Sequence, residues 1–338
     1  MTPRSPTLWL APMAEITDSP FRQIAKSFGA DELVSEMISS AGLSRGNLRT
    51  RMMLEHSDDE KPLHVQLYGG DPDEMAEASR IAAELGAASI NINAGCPVPK
   101  VLKCGGGAAL MRSPAKIGEM VAKIRAASNL PVTVKTRIGL HPDNITIFEV
   151  LKAAEANGAT EIAVHGRFAS AGHGGPVNMP LLAETVATAK IPVTVNGGIN
   201  SAADALQIHR ETFAAGLMIG RAAIGRPWIF AEIRAAFESG ANESESTANA
   251  DSTVSKAKKI FTAHIQKILS HYGDLVAKYP EQEPDPEKSA LRAFTCYLFR
   301  YFSGISGSNE IRRNMNSCKT VADIFQLLDE HLRLPDAD

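Results

Sequence analysis

The sequence predicts a (β/α)8 barrel, an α/β TIM-barrel fold, followed by a small C-terminal all-helical domain. Three observations carry that reading. Eight short apolar runs of β-type residues recur between residues 8 and 238, and helical patterns alternate with them. Polar, chemistry-bearing residues gather after nearly every run, as they do where the strand C-termini of a barrel converge on one mouth. Beyond a polar stretch at 240–253, only helical patterns remain.

In chain order the strands are expected at Leu8–Ala11, Glu32–Ser35, Leu63–Leu67, Ser89–Asn93, Val132–Thr136, Glu161–His165, Val193–Asn196 and Leu217–Ile219. Short runs that are apolar on both faces suit parallel strands covered by helices. Pro72–Leu85, Pro114–Ala127 and Ala202–Phe213 show helical spacing between them. The span approaches the roughly 250 residues of a typical barrel. A doubly wound sheet would carry one glycine-rich fingerprint after its first strand. Leu-Ala-Pro-Met-Ala stands there instead. Residues 240–253 hold no large apolar side chain and read as a polar linker or loop. Val254–Tyr272, Pro286–Phe302, Ser308–Met315 and Val321–Leu332 then read as helices. The expected organisation is a barrel over 1–239, the linker over 240–253 and a helical domain over 254–338.

Composition excludes several classes. The chain has 338 residues, 44% of them hydrophobic and 22% charged, as soluble globular proteins do. No apolar run approaches the roughly 18 residues of a membrane helix, and no signal-peptide pattern opens the chain. Cys96, Cys104, Cys296 and Cys318 form neither a disulfide framework nor a CxxC pair. A cytoplasmic protein is expected, with no membrane association, no metal and no obligate protein partner. The net charge of −3 argues against nonspecific coating of nucleic acid but leaves room for a local basic face.

The residues just beyond each strand compose the mouth. It collects Ala11, Pro12 and Met13; Gln66; Asn93 and Cys96; Lys135 and Arg137; His165 and Arg167; Asn196, Gly197 and Gly198; and Gly220 with Arg221. Gly197-Gly198 closing strand seven and Gly220 closing strand eight suit a phosphate, because backbone N–H groups and a helix N-terminus can approach it there. Arg221 can add a charge-assisted contact. Lys135 sits near the end of a buried strand, where an unpaired ammonium is costly, so an anionic ligand group is expected above it. Reduced flavin is such a group, and a Schiff-base lysine is the competing reading. Gln66 and His165 suit the polar edge of a flavin ring, and Pro12 and Met13 suit its face. Cys96, fixed between Gly95 and Pro97, is a nucleophile or a proton donor. Cys104 reads as incidental, and Cys296 and Cys318 as small buried hydrophobes.

These runs together resemble the tRNA-dihydrouridine synthase family of flavoenzymes. The matching runs are Leu-Ala-Pro-Met-Ala at 10–14, Thr-Asp-Ser-Pro-Phe-Arg at 17–22 and Gln-Leu-Tyr-Gly-Gly at 66–70. Asn-Ala-Gly-Cys-Pro-x-x-Lys-Val at 93–101, Gly-Gly-Gly-Ala-Ala-Leu at 105–110 and Val-Lys-Thr-Arg-Ile-Gly at 134–139 continue the series. Val-His-Gly-Arg at 164–167, Asn-Gly-Gly-Ile at 196–199 and Met-Ile-Gly-Arg at 218–221 complete it. The resemblance implies an FMN-binding barrel with a tRNA-binding helical domain. It places Ala11, Pro12, Met13, Gln66, Lys135, His165, Asn196, Gly197, Gly198, Gly220 and Arg221 at FMN, Cys96 as proton donor and Asn93 near the target base. Arg167 is expected at the substrate. Three positions depart from the family pattern: Glu15 stands where Gly is usual, Phe168 where Thr is usual and His173 where Tyr is usual. Residues 168–178 are expected to meet substrate.

The implied reaction passes hydride from NADPH to FMN and on to C6 of a uridine in tRNA, after which Cys96 protonates C5. Thiols with a pKa of about 8.5 are mostly protonated near pH 7, which suits an acid. The uracil must leave its stack to reach a buried flavin. Two alternatives stand beside this reading. One is a dihydroorotate-dehydrogenase-like reductase of a free pyrimidine or small enone; the other is a flavin-bearing RNA-binding module without turnover. In the helical domain Lys288, Arg292, Arg300, Arg312, Arg313 and Lys319 form a basic cluster. Arg292 and Arg300 are expected two turns apart on one helix, facing RNA phosphates.

Overall fold

The structure is a computed structural model and describes residues 5–172, 174–239, 250–282 and 284–332. His173 and residues 240–249 of the polar stretch lie outside the described residues. The chain divides into two compact units, one of Met1–Arg221 with Ile229–Asn242, the other of Ala222–Trp228 with Glu243–Asp338.

The first unit is a closed parallel barrel. Its strands are β1 (Thr7–Leu10), β2 (Glu32–Ser39), β3 (Leu63–Tyr68), β4 (Ser89–Ala94) and β5 (Val132–Arg137). A hairpin of β6 (Gly139–His141) and β7 (Asn144–Ile145) comes next, and β8 (Glu161–His165), β9 (Val193–Asn196) and β10 (Gly216–Ile219) complete the chain order. The barrel order is β1-β10-β9-β8-β5-β4-β3-β2, closing on itself. Each barrel strand is the expected one within a few residues. The hairpin was not expected, because strands of three and two residues are too short to show a period of two.

Ordinary local chemistry sets the helices around the barrel. Asp71 caps Pro72–Glu84, its Oδ1 accepting from the N–H groups of Asp73 and Glu74 at 2.8 and 3.0 Å, with Pro72 preset for the first turn. Asn129, in the left-handed region at φ 56°, ends Pro114–Ser128.

Strand residues alternate between the helix layer and the barrel interior. Trp9, Ala11, Val34, Ala163 and Met218 form a buried apolar cluster inside. The floor, at the strands' N-terminal ends, is polar and internally paired. His64 Nε2 lies 2.6 Å from Glu32 Oε2, and His64 Nδ1 lies 2.5 Å from Ser89 Oγ. Thr194 Oγ1 donates to Glu161 Oε1 at 2.5 Å.

The second unit is helical: Ala250–Lys278, Pro286–Cys296, Ser308–Asn314 and Val321–His331. Phe261 anchors its core, with the rings of Phe302, Phe294, Phe325 and Tyr301 at 5.2 to 6.2 Å. The fully buried His264 meets the Tyr301 hydroxyl at 3.0 Å, and burial holds its pKa down at about 3, so the ring is neutral. The expected helix over 286–302 does not run through. It ends at Cys296, Tyr297 takes φ −150°, and Leu298–Phe302 forms a tighter 3-10 turn. Arg292 and Arg300 therefore do not share one helix. The break tucks Tyr297, Leu298, Tyr301 and Phe302 into the core, a spacing that periodicity cannot tell from a continuous helix. Arg300 and Arg312 instead flank Phe299, at 6.0 and 5.9 Å from its ring centre. Cys296 is exposed and Cys318 half-buried, so neither is the buried hydrophobe expected. Among the described residues no helix is long and apolar enough to cross a membrane.

Candidate active site

Parallel closure carries every strand-end motif of the barrel to one rim. Beyond β1 the chain turns tightly: Met13 N–H donates to Thr17 Oγ1 at 2.9 Å, and Thr17 N–H to the Met13 carbonyl at 3.0 Å. Glu15, inside this turn, has φ 64°. That left-handed backbone strains a residue with a side chain, and glycine would adopt it at lower cost. The Glu15 N–H donates to Glu36 Oε1 at 2.5 Å, which holds the turn in that conformation.

Cys96 sits just past β4, half-buried. Its loop is pinned from inside the barrel by Asn93, whose Oδ1 accepts from the N–H groups of Gly95 and Cys96 at 3.2 and 3.0 Å. Ala108 N–H donates to the Cys96 carbonyl at 2.9 Å from the opposite side. The glycine run makes that approach possible. A Cβ on Gly107, which has φ 58°, would lie 2.4 Å from the Cys96 carbonyl oxygen. A Cβ on Gly70 would lie 2.2 Å from the Cys104 carbonyl oxygen. Alanine at Gly107 would push the Cys96 loop away, and alanine at Gly70 would displace the Cys104–Gly105 backbone.

Arg137, at the end of β5, is a third pin. It is buried, and its Nε donates to the Gly95 carbonyl at 2.8 Å. Its second nitrogen donates to the carbonyls of Phe168 and Gly172 at 3.1 and 2.7 Å. One guanidinium thus joins the Cys96 loop to the segment after β8, using the rigid fork that lysine lacks. In the sequence Arg137 is one residue of a strand-end motif with no role of its own. The signal that could have found it is parity: Lys135 and Arg137 lie two apart on one strand, so both point inward.

Lys135 Nζ donates to Asn196 Oδ1 at 3.3 Å, and no ion pair engages it among the described residues. Burial lowers its pKa to about 8, aided by the neighbouring Arg137 cation and opposed by Cys96 in its thiolate form. Asn196 is held in turn by donating from Nδ2 to the Met218 carbonyl at 2.7 Å. Burial also lowers Arg137 to about 10, with Cys96 acting upward and Arg167 downward. Arg167 is lowered by burial and by the charge of Arg221. The rim is therefore a chain of cations that feel one another.

His165 is buried, with Nε2 3.3 Å from a guanidinium nitrogen of Arg167. A guanidinium can only donate, so Nε2 is the acceptor of this contact. Gly197 and Gly198 have φ 104° and 81°, and a Cβ on Gly197 would strike His165 at 2.6 Å. Gly220 differs. A Cβ there would meet only Ala11 Cβ at 3.5 Å and Met13 Sδ at 3.8 Å, so the chain's own packing does not demand glycine. Ala11, Met13 and Gly220 leave a space at the rim that a side chain would fill.

Gln66 is fully buried below the rim, its amide engaged by Asn91 and Asn93. Asn93 is buried too, with both ends of its amide engaged within the chain. Arg292 and Arg300, in the helical unit, are exposed. Cys104 is exposed, its Sγ 3.0 Å from the Val101 carbonyl oxygen.

The family model described as "Dihydrouridine synthase" matches residues 9–334. The tRNA-dihydrouridine synthase B of Pseudomonas syringae pv. tomato is 38% identical over 94% of this chain and 91% of its own. That of Pseudomonas aeruginosa is 34% identical over 94% and 92%, and that of Proteus vulgaris 36% over 95% and 94%.

Proposed function

The chain belongs to the dihydrouridine synthase family, and from that premise we propose that it reduces the C5=C6 bond of uridines in tRNA, in the cytoplasm, with FMN as cofactor and NADPH as reductant. The observation that carries the reading is Cys96, held by three independent backbone pins beside Lys135 and Arg137, which meet no carboxylate among the described residues. The residues fit FMN. Lys135 offers a desolvated positive charge, and the space at Gly220 is one that a Cβ would close. Ala11, Pro12, Met13, Lys135, His165, Asn196, Gly197, Gly198, Gly220 and Arg221 would hold it, with Gly197, Gly198, Gly220 and Arg221 at its phosphate and Gln66 buried beneath them.

When bound, FMN would supply the hydride, taken from NADPH, that C6 of the uracil accepts. Charge then develops toward O4 of the base, and the cationic rim lowers the cost of that charge. Cys96 Sγ gives its proton to C5. Arg137 keeps the Cys96 loop in register with 168–172, and Arg167, with Asn93 beneath the loop, is assigned to the incoming base. Extrusion of the base from folded RNA needs a grip on the flanking phosphates. Arg292 and Arg300 are assigned that grip as separate points on the helical unit.

The test is direct. Purified protein should be yellow and release FMN on denaturation, and with NADPH it should form dihydrouridine in unmodified tRNA transcripts and none from free uridine monophosphate. Equal turnover of the free nucleotide would overturn the tRNA reading in favour of a small-molecule reductase. Release of FAD, or no flavin, would overturn the cofactor.

A further inference from the structure

Below the rim, a line of amides crosses three strands of the barrel. Asn93 Nδ2 donates to Gln66 Oε1 at 2.8 Å, Gln66 Nε2 to Asn91 Oδ1 at 2.7 Å, and Asn91 Nδ2 to Thr133 Oγ1 at 2.7 Å. Gln66 pairs in register with Asn91, and Asn91 with Thr133. The side chains therefore stand abreast, and all four are buried, with exposures of 0, 2, 6 and 6% for Gln66, Asn91, Asn93 and Thr133.

The line has a direction, and its upper end sets it. The N–H groups of Gly95 and Cys96 can only donate, so Asn93 must turn Oδ1 toward them. Its Nδ2 then faces down, which requires an acceptor below, and Gln66 supplies Oε1. Gln66 must in turn present Nε2 to Asn91, and Asn91 its own Nδ2 to the Thr133 hydroxyl. Reversing any one amide would set donor against donor or acceptor against acceptor in a place where water cannot repair it. The hydroxyl of Thr133 can accept or donate, so it ends the line without conflict.

We propose that Asn91 is a positioning residue for Cys96: acting through Gln66 and Asn93, it fixes the acceptor that holds the Cys96 loop. Nothing in the reaction requires Asn91 itself to touch base or cofactor. It lies one residue pair below Asn93 on β4, and it holds Gln66 Nε2 in place. The inference rests on Cys96 being the proton donor, and one part of its test does not depend on that role.

The FMN-loaded full chain serves for the test, with Asn91→Leu and Asn91→Asp compared. Leucine keeps the branching and the number of heavy atoms and offers no acceptor. An aspartate oxygen still accepts from Gln66 Nε2, and the Thr133 hydroxyl can rotate to donate to it, so the direction survives. Amide exchange in the 93–97 segment, read by mass spectrometry, should be about tenfold faster in Asn91→Leu, the scale of one lost hydrogen bond. Exchange in β8 and β9 should not change, whereas a general loss of stability would speed all three. Asn91→Asp should exchange within about threefold of the parent. Dihydrouridine formation by the reduced protein should fall about tenfold in Asn91→Leu and recover in Asn91→Asp, with flavin reduction by NADPH unchanged in both. Parent-like exchange at 93–97 in Asn91→Leu overturns the inference, as does an Asn91→Asp variant as impaired as the leucine. Fast exchange with undiminished product would uphold Asn91 as the holder of the loop and remove Cys96 as donor.

Discussion

The two ends of the barrel are built from the same strands and differ in how their charges are met. At the floor, Glu32 meets His64, His64 meets Ser89 and Glu161 accepts from Thr194. At the rim, Lys135 has one amide oxygen at 3.3 Å, and Arg137 spends its donors on backbone carbonyls. The floor's acids have partners from the chain, whereas Lys135 and Arg137 meet no carboxylate from it among the described residues. A buried charge without a countercharge is costly to keep unless something outside the chain completes it. The difference separates acids paired within the chain from rim cations that meet only amide and backbone oxygens of it among the described residues.

The sharpest way to break that comparison is at Cys96. Cys96→Ala should leave FMN binding and flavin reduction by NADPH intact while dihydrouridine formation falls by about 10²-fold or more, the scale of lost general acid catalysis. Single-turnover product formation on tRNA measures it, with the exposed Cys104→Ala as control. Product at the parent rate would show that the rim delivers the proton by another group.

Lys135 carries the next effect. A charge-assisted hydrogen bond contributes about 1.5–3 kcal/mol, and 1.4 kcal/mol is about 30 mV for a two-electron couple. Lys135→Gln should therefore lower the midpoint potential of bound flavin by about 30–60 mV, read by spectroelectrochemical titration. The sign with pH comes from the lowered pKa. The lysine is an ammonium below about pH 8 and loses its proton above it, so the gap between parent and variant should narrow as pH rises. An anionic group bound above it moves that narrowing to higher pH. Equal potentials at pH 7 would place the lysine's charge elsewhere.

How much of this the sequence carries depends on which forces act locally. Strand positions came from apolar runs and helices from their apolar spacing, since those signals act within a few residues. The rim residues were legible because parallel closure fixes which strand ends meet. Arg137 and Asn91 were not, because their roles are made of contacts between strands and loops far apart in sequence, 42 residues both from Asn91 to Thr133 and from Arg137 to Gly95. The Arg292–Arg300 helix failed for a related reason: the turn at Tyr297 is set by burial around Phe261, and a period of 3.6 does not report it. The floor went unread altogether. Glu32, His64, Ser89, Glu161 and Thr194 look like ordinary strand residues until closure of the barrel brings their side chains together.

The smallest effect belongs to that floor and tests the comparison from the other side. Glu161 is pushed up to about 7, mainly by burial, with Glu32 adding repulsion and the Thr194 hydrogen bond opposing it. His64 is the other titratable group there, already engaged by Glu32. A carboxyl whose folded pKa lies above its unfolded value binds more protons in the folded state, so stability falls as pH rises from about 4.5 to about 7. Glu161→Gln stays neutral and can still accept from Thr194, so it removes that slope. The variant should match the parent at pH 4.5 and exceed it at pH 8 by about 1 kcal/mol, allowing for the site's partial exposure. In thermal denaturation of the full chain that is a shift of a few degrees. Dihydrouridine formation should not change, because Glu161 stands at the far end of the strand that carries His165. A variant that loses turnover while keeping its flavin would mean that the floor's carboxylates reach the rim, and the division between a paired floor and a cationic rim would fail.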